Sequence, residues 1–220
     1  MKSIAVLNKD LTEKITGLKT SPSLETALSG LRETEPIDKL LLVLIDKSGS
    51  MGGIMETLPK IDIAWQVFKD ELMPNMTNWT FGILAFDDFV TWIVMPTTNT
   101  KALTTVPVLG GSTHMGEALQ FAWNWVRSNA KSARFILLTD GMANDMPKEQ
   151  IISMAKENKS IPIDTVGIGQ GTFDYDPDFL QNLSSITGGI FSAARSVRLL
   201  ADTIKKLSPQ ERPLLGTVKE

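Results

Sequence analysis

Two apolar runs that each end in a carboxylate constrain the fold of this chain more than any other feature. Residues 39–46 read KLLLVLID, and residues 133–141 read ARFILLTDG. Apolar runs without polar alternation are typical of strands buried on both faces, as in the parallel sheets of α/β proteins. Asp46 and Asp140 then follow two central strands at their carboxyl ends, which is where ligands bind in open α/β sheets.

Helices and further strands alternate around these two runs. Apolar residues recur at helical spacing in residues 61–73, up to the stop signal Pro74, and again in residues 115–130. The later segments predict helices and strands in turn, namely helix 147–158, strand 161–169, helix 177–187, strand 189–193 and helix 196–207. Strands 79–86 and 90–95 are joined by a connection too short for a crossover, so they form an antiparallel pair at the sheet edge. This order predicts an α/β fold: a doubly wound, mostly parallel sheet with one antiparallel edge strand and helices on both faces.

The length of 220 residues suits one α/β domain with short extensions. We assign residues 38–207 to the domain, residues 1–37 to an N-terminal extension and residues 208–220 to a C-terminal tail. The extension contains one short amphipathic helical pattern between residues 24 and 31.

Composition excludes several classes of function. The formal net charge is −3 and no dense run of Lys and Arg occurs, so the chain lacks the positive surface that nucleic-acid binding requires. It contains no Cys, which excludes thiolate metal sites and Cys nucleophiles. No stretch reaches the roughly 18 apolar residues of a membrane span, and the first residues are too polar for a secretory signal. We therefore expect a cytoplasmic protein that binds neither nucleic acid nor membrane.

The loop after the first apolar run carries three oxygen-bearing side chains at alternate positions. Asp46, Ser48 and Ser50 lie in the segment Asp-Lys-Ser-Gly-Ser, which precedes a helix. Alternation along an extended segment directs these three side chains to one side and Lys47 to the other. Lys47 is then a cation near the site that attracts an acidic partner.

Two other loops add oxygen donors at the same edge. Residues 110–116 read GGSTHMG, in which either Ser112 or Thr113 supplies a hydroxyl, and Asp140 supplies a second carboxylate. A set made only of oxygens suits a hard cation such as Mg²⁺, with Mn²⁺ as a substitute. The pattern therefore predicts a metal site built from three loops.

These motifs resemble the metal-ion-dependent adhesion site of von Willebrand factor A domains, and the resemblance extends over residues 38–207. It implies a Rossmann-like fold. It also implies an intracellular, prokaryotic-type member of this family. The spacing to Gly116 selects Thr113 as the hydroxyl of the second loop. The metal ligands implied by the resemblance are Asp46, Ser48, Ser50, Thr113 and Asp140. A carboxylate from an Asp or Glu of a partner protein would complete the metal sphere.

The resemblance implies a non-enzymatic module for protein–protein interaction, acting as a subunit of an intracellular complex. The alternative is a metal-dependent, phosphatase-like hydrolase that uses the same carboxylates. His114 is the only histidine, so a hydrolase would have to use it as the general base. No G-x-S-x-G motif accompanies the serines. We interpret His114 instead as a contact to the partner beside the metal, while a structural domain with a vestigial site is the third hypothesis.

Overall fold

The computed structural model describes residues 35–103, 106–169, 173–209 and 216–217. All of these except Glu35 belong to one compact unit that begins at Pro36. The helical pattern predicted between residues 24 and 31 lies outside the described residues, and so does most of the predicted tail. The division into extension, domain and tail therefore stays a prediction.

A seven-stranded sheet forms the centre of this unit. The strands among the described residues are β1 (Leu40–Asp46), β2 (Ile54–Met55), β3 (Leu58–Pro59), β4 (Thr80–Phe86), β5 (Val90–Thr97), β6 (Ser132–Thr139), β7 (Ile163–Ile168), β8 (Phe191–Ala194) and β9 (Gly216–Thr217). The order across the sheet is β5-β4-β1-β6-β7-β8, and β9 pairs with β6. Pairs β1–β4, β1–β6, β6–β7 and β7–β8 are parallel, whereas β4–β5 is antiparallel. The predicted fold class, including its antiparallel edge strand, is confirmed.

Helices cover both faces of this sheet. They are α1 (Lys60–Val67), α2 (Met115–Asn129), α3 (Lys148–Glu157), α4 (Pro177–Thr187) and α5 (Val197–Leu207). Strand β1 divides the core by its alternation: Leu41, Val43 and Ile45 belong to the cluster that contains residues of α1 and α5. Its alternate leucines pack with residues of α2, α3 and α4. Both faces of β1 are buried, which is the physical reason for its unbroken apolar sequence.

The structure differs from the sequence prediction in the first helix and in the shortest strands. The apolar spacing predicts one helix over residues 61–73, whereas the α-helix ends at Val67 and continues as a π-helical turn, Phe68–Leu72, and a 3-10 turn, Met73–Asn75. Pro74 has no N–H to donate and closes the segment within the 3-10 turn. The hairpin of β2 and β3 and the pairing of Gly216–Thr217 with β6 were not predicted. Two-residue strands are too short for a period to be recognised.

Parallel pairing brings the carboxyl ends of β1, β4, β6 and β7 to one edge of the sheet. The loop after β1 and the loop after β6 are neighbours there, because β1 and β6 pair side by side. Asp46 is the last residue of β1 and Asp140 is the first residue after β6, so they lie at adjacent strand ends, although 93 positions separate Asp46 from Thr139 at the end of β6. Within the described ranges, no helix is both long and apolar enough to cross a membrane.

Candidate metal centre

Asp46 ends β1 and is fully buried. Its Oδ1 accepts a hydrogen bond from the Ser48 backbone N–H (2.8 Å), and its Oδ2 accepts one from the Thr139 hydroxyl (2.6 Å). Burial raises the pKa of Asp46 to about 6, because desolvation outweighs these hydrogen bonds. The carboxylate is thus held in position at a cost in solvation that a bound cation would relieve.

A chain of hydrogen bonds joins the first loop to Asp140. The hydroxyls of Ser48 and Ser50 lie 3.0 Å apart, and the Ser50 hydroxyl donates to Asp140 Oδ1 at 2.7 Å. Ser48 and Asp140 are buried, whereas Ser50 is exposed. The three side chains therefore form a polar cluster that reaches the surface at Ser50.

The second loop directs its two hydroxyl residues to different partners. An added Cβ at Gly141 would lie 2.9 Å from Thr113 Oγ1 and 3.4 Å from Asp46 Oδ2, so these two oxygens line the same small space. The Ser112 hydroxyl and backbone N–H instead bind Asp88, and they hold the pKa of that carboxyl below its usual value. The geometry thus turns Thr113, rather than Ser112, toward Asp46.

Backbone hydrogen bonds hold the first and second loops together. The Gly110 N–H donates to the Lys47 carbonyl at 2.8 Å, and the Gly49 N–H donates to the Gly111 carbonyl at 3.3 Å. A Cβ at Gly110 would lie 1.6 Å from Asp87 Oδ2, so only glycine fits there. In the sequence, Asp87 is only a residue of the short connection between strands 79–86 and 90–95. In the structure it supports the first and second loops, because it pairs with Lys47 and fills the space beside Gly110.

The segment after Asp140 supports the start of α2. Asn144 Oδ1 accepts from the Thr113 N–H (3.1 Å), and the Asp145 carboxylate accepts from the N–H groups of Gly116 (3.2 Å) and Glu117 (2.7 Å). A carboxylate at a helix N-terminus satisfies free N–H groups and interacts favourably with the helix dipole. These contacts join residues about 30 positions apart, and no local motif in the sequence indicates them.

The two predicted partner contacts lie beside the cluster but differ in their environment. The Lys47 ammonium forms an ion pair with Asp87, and only 13% of its side chain is exposed. His114 precedes α2, and its Nδ1 lies 3.3 Å from Glu117 Oε2. Lys47 therefore contributes to the packing of the loops, while about a quarter of the His114 side chain is accessible. Contact of either residue with a partner stays a prediction.

Lys60 is a member of the cluster that sequence reasoning missed. Its ammonium donates to Asp140 Oδ2 at 2.8 Å and lies 3.6 Å from Asp174 Oδ1. A lone lysine at a helix start ordinarily has a solvated ammonium, but Lys60 is 8% exposed. One signal in the sequence could have identified it, namely a lysine at the start of a predicted helix. The helix dipole disfavours a cation at that position.

The donor set has the chemistry of a hard-cation site. Two carboxylates and three hydroxyls converge from three loops, and every donor atom is oxygen. Among the described residues, no group of three or more His, Cys, Asp and Glu side chains is placed to hold a metal ion. The residues present fit Mg²⁺ through mixed carboxylate and hydroxyl donors.

Comparison with known families agrees with this architecture. Residues 41–143 match the family model described as the von Willebrand factor type A domain. A structure described as von Willebrand factor type A from Catenulispora acidiphila superposes with a TM-score of 0.59 at 19% identity, covering 78% of this chain and 42% of that one. The structural similarity concerns the fold.

Two curated relatives are longer than this chain. An uncharacterized protein of Borreliella burgdorferi is 25% identical over 180 residues, which cover 69% of this chain and 52% of the relative. The inter-alpha-trypsin inhibitor heavy chain H2 of Mesocricetus auratus is 30% identical over 204 residues, which cover 84% of this chain and 21% of the relative. The chain thus spans about half of the first relative and about a fifth of the second.

Proposed function

We propose that this chain, in which residues 41–143 match the family model of the von Willebrand factor type A domain, binds the carboxylate of a partner protein through a divalent metal ion. The observation that carries the proposal is the convergence of two buried carboxylates and three hydroxyls at one sheet edge. The ligands would be Asp46, Ser48, Ser50, Thr113 and Asp140. Mg²⁺ is the proposed ion, and Mn²⁺ would substitute for it because it accepts the same oxygen ligands. When bound, the ion supplies the positive charge that recognises a carboxylate.

Exposed apolar side chains in the loops at this edge support a protein partner. We call this set the apolar rim, and it consists of Phe89, Val108, Leu109, Met142 and Phe173. Leu109 lies against the first loop, because a Cβ at Gly52 would meet its Cδ1 at 2.8 Å. Phe89 is 73% exposed on the β4–β5 turn, where its backbone N–H donates to Asp87. Met142 follows Asp140 by two positions.

Large exposed apolar side chains gathered around a polar centre are typical of a protein-binding surface. Their burial on binding would exclude water from the metal and thereby strengthen its attraction to the partner carboxylate. The proposed partner therefore presents an Asp or Glu flanked by apolar side chains. No such flanking surface is needed to bind a small phosphate ester.

The hydrolase hypothesis has less support. His114 is the only histidine of the sequence, and its ring contacts Glu117 at 3.3 Å. The hydroxyls of Ser48 and Ser50 bond to each other and to Asp140 rather than to His114, the general base of this hypothesis. An activated nucleophile requires such a base within hydrogen-bond reach. We therefore propose a binding module without catalysis, and we keep cytoplasmic location and membership of an intracellular complex as proposals.

Selection from a phage-displayed library of random peptides tests the function. Phage bound in Mg²⁺ are expected to be released by EDTA, because the ion links the two molecules. Synthetic copies of the selected peptides are expected to contain an Asp or Glu and to lose most of their affinity when Mg²⁺ is removed, as measured by fluorescence anisotropy. Elution by EDTA that does not exceed elution by Mg²⁺ buffer, or selected peptides without an acidic residue, would contradict the proposal.

Substitution in the apolar rim is expected to weaken these peptides without changing metal affinity. Met142→Ser should lower peptide affinity about tenfold, which is typical of a central apolar contact in an interface. Met95→Ser is the matched control, because Met95 is similarly exposed but belongs to β5 away from the metal loops. Equal effects of the two substitutions would remove the apolar rim from the binding surface.

A further inference from the structure

Lys60 lies inside the cluster of candidate metal ligands, where two carboxylates fix its ammonium. It begins α1, directly after the hairpin of β2 and β3, and its backbone N–H donates to the Gly53 carbonyl at 3.0 Å. Its ammonium bonds Asp140 Oδ2 at 2.8 Å and lies 3.6 Å from Asp174 Oδ1. Carboxylates from two different loops therefore surround one nearly buried cation.

This position is unfavourable for a lysine on local grounds. The N-terminus of a helix carries partial positive charge, so an ammonium there is repelled by the helix dipole. Burial adds a desolvation cost that only well-placed carboxylates offset. Positions at which a residue violates local preferences are expected at functional sites.

We infer that Lys60 is an internal cation that competes with the divalent ion for Asp140 and thereby sets the metal affinity of the site. The inference rests on the proposed function, because it assigns Asp140 to the metal. Asp140 Oδ1 accepts from Ser50 while Oδ2 accepts from Lys60, so the ammonium holds the carboxylate that the ion requires. Two cations that share one carboxylate also repel each other across a few ångström.

Asp174 gives the ammonium a second carboxylate. It lies on the loop after β7, and its side chain is 28% exposed. If a divalent ion took Asp140, Lys60 would still have Asp174, whose Oδ1 lies 3.6 Å from its ammonium. The site would then alternate between a form in which Lys60 compensates Asp140 and a form in which Asp174 compensates Lys60.

Calorimetric titration of the full chain with Mg²⁺ tests this role. Lys60→Met and Lys60→Gln are expected to bind Mg²⁺ about tenfold more tightly than the unsubstituted chain, since a screened repulsion over this range amounts to a factor of that order. Gln keeps a donor for Asp140 without the charge, so it tests the inference even if Lys60→Met fails to fold. Lys60→Arg keeps the charge and should not strengthen binding. Thermal unfolding in EDTA and in Mg²⁺ gives a second readout, in which both neutral variants should gain more from Mg²⁺.

Lys131→Met is the control, because the Lys131 ammonium pairs with Asp38 rather than with Asp140. It should change Mg²⁺ affinity less than threefold, a bound set by weak charge effects over longer distances. If it tightens binding as much as Lys60→Met, the net charge of the chain is the cause and the inference is wrong. If the unsubstituted chain binds Mg²⁺ and the neutral Lys60 variants bind it equally well, the inference alone fails. If only the neutral Lys60 variants bind Mg²⁺, the result supports the inference but contradicts the metal dependence of the natural chain. If neither the natural chain nor any variant binds Mg²⁺, the result contradicts both the inference and the proposed function.

Discussion

Asp46→Ala is expected to lower Mg²⁺ affinity at least about 100-fold, because loss of a direct ligand exceeds the 10- to 100-fold losses typical of outer-shell changes. Asp46 is fully buried, and its Oδ2 shares the space beside Gly141 with Thr113 Oγ1. Removal of its carboxylate leaves Asp140 as the only charged member of the donor set. Isothermal titration calorimetry of the intact chain and the variant measures the difference directly.

Asp38→Ala is the matched control for this experiment. Asp38 is exposed, pairs with Lys131 at 2.7 Å and precedes β1, so it lies toward the opposite edge of the sheet from Asp46. Its substitution is expected to leave Mg²⁺ affinity unchanged. Equal affinities for the intact chain and Asp46→Ala would remove Asp46 from the metal centre, and the proposed function with it.

The sheet could be predicted from the sequence because its central strands are buried on both faces. Strand β1 contributes alternate residues to two separate apolar clusters, and this forces a continuous apolar run that is easily recognised. The antiparallel edge could be predicted for a different reason, since only three residues separate β4 from β5. Both features are local consequences of where the strands lie.

The supports of the candidate site could not be predicted in the same way. Lys60 meets Asp140 across 80 positions, and Asp145 meets the Gly116 N–H across 29. Such pairs depend on which loops the sheet brings together, and a single sequence contains no periodicity that reports them. The glycines of the second loop illustrate the limit, because the pattern indicates a turn but not that Asp87 occupies the space beside Gly110.

The metal-free protein is expected to lose stability as the pH rises from about 4 to about 6, through Asp46. Its folded pKa of about 6 lies above the ordinary value of 3.8, so the folded state keeps a proton that the unfolded chain releases in this range. Stability falls wherever the folded state binds more protons. The upward shift corresponds to a loss on the order of 3 kcal/mol, complete above about pH 6. Mg²⁺ binds the ionised carboxylate and should restore stability mainly above that pH.

Asp46→Asn separates this contribution from those of the other carboxylates. Asparagine keeps the shape of the side chain without a charge to desolvate, so the variant should lack the decline and, without metal, be more stable than the intact chain at pH 7. Asp38, Asp88 and Asp176 have lowered pKa values and favour stability at higher pH, but they are common to both chains and cancel in the difference. Urea unfolding of both chains in EDTA between pH 4 and pH 8 measures that difference. Parallel curves would mean that burial of Asp46 carries no cost, and the proposed relief of that cost by a cation would be wrong.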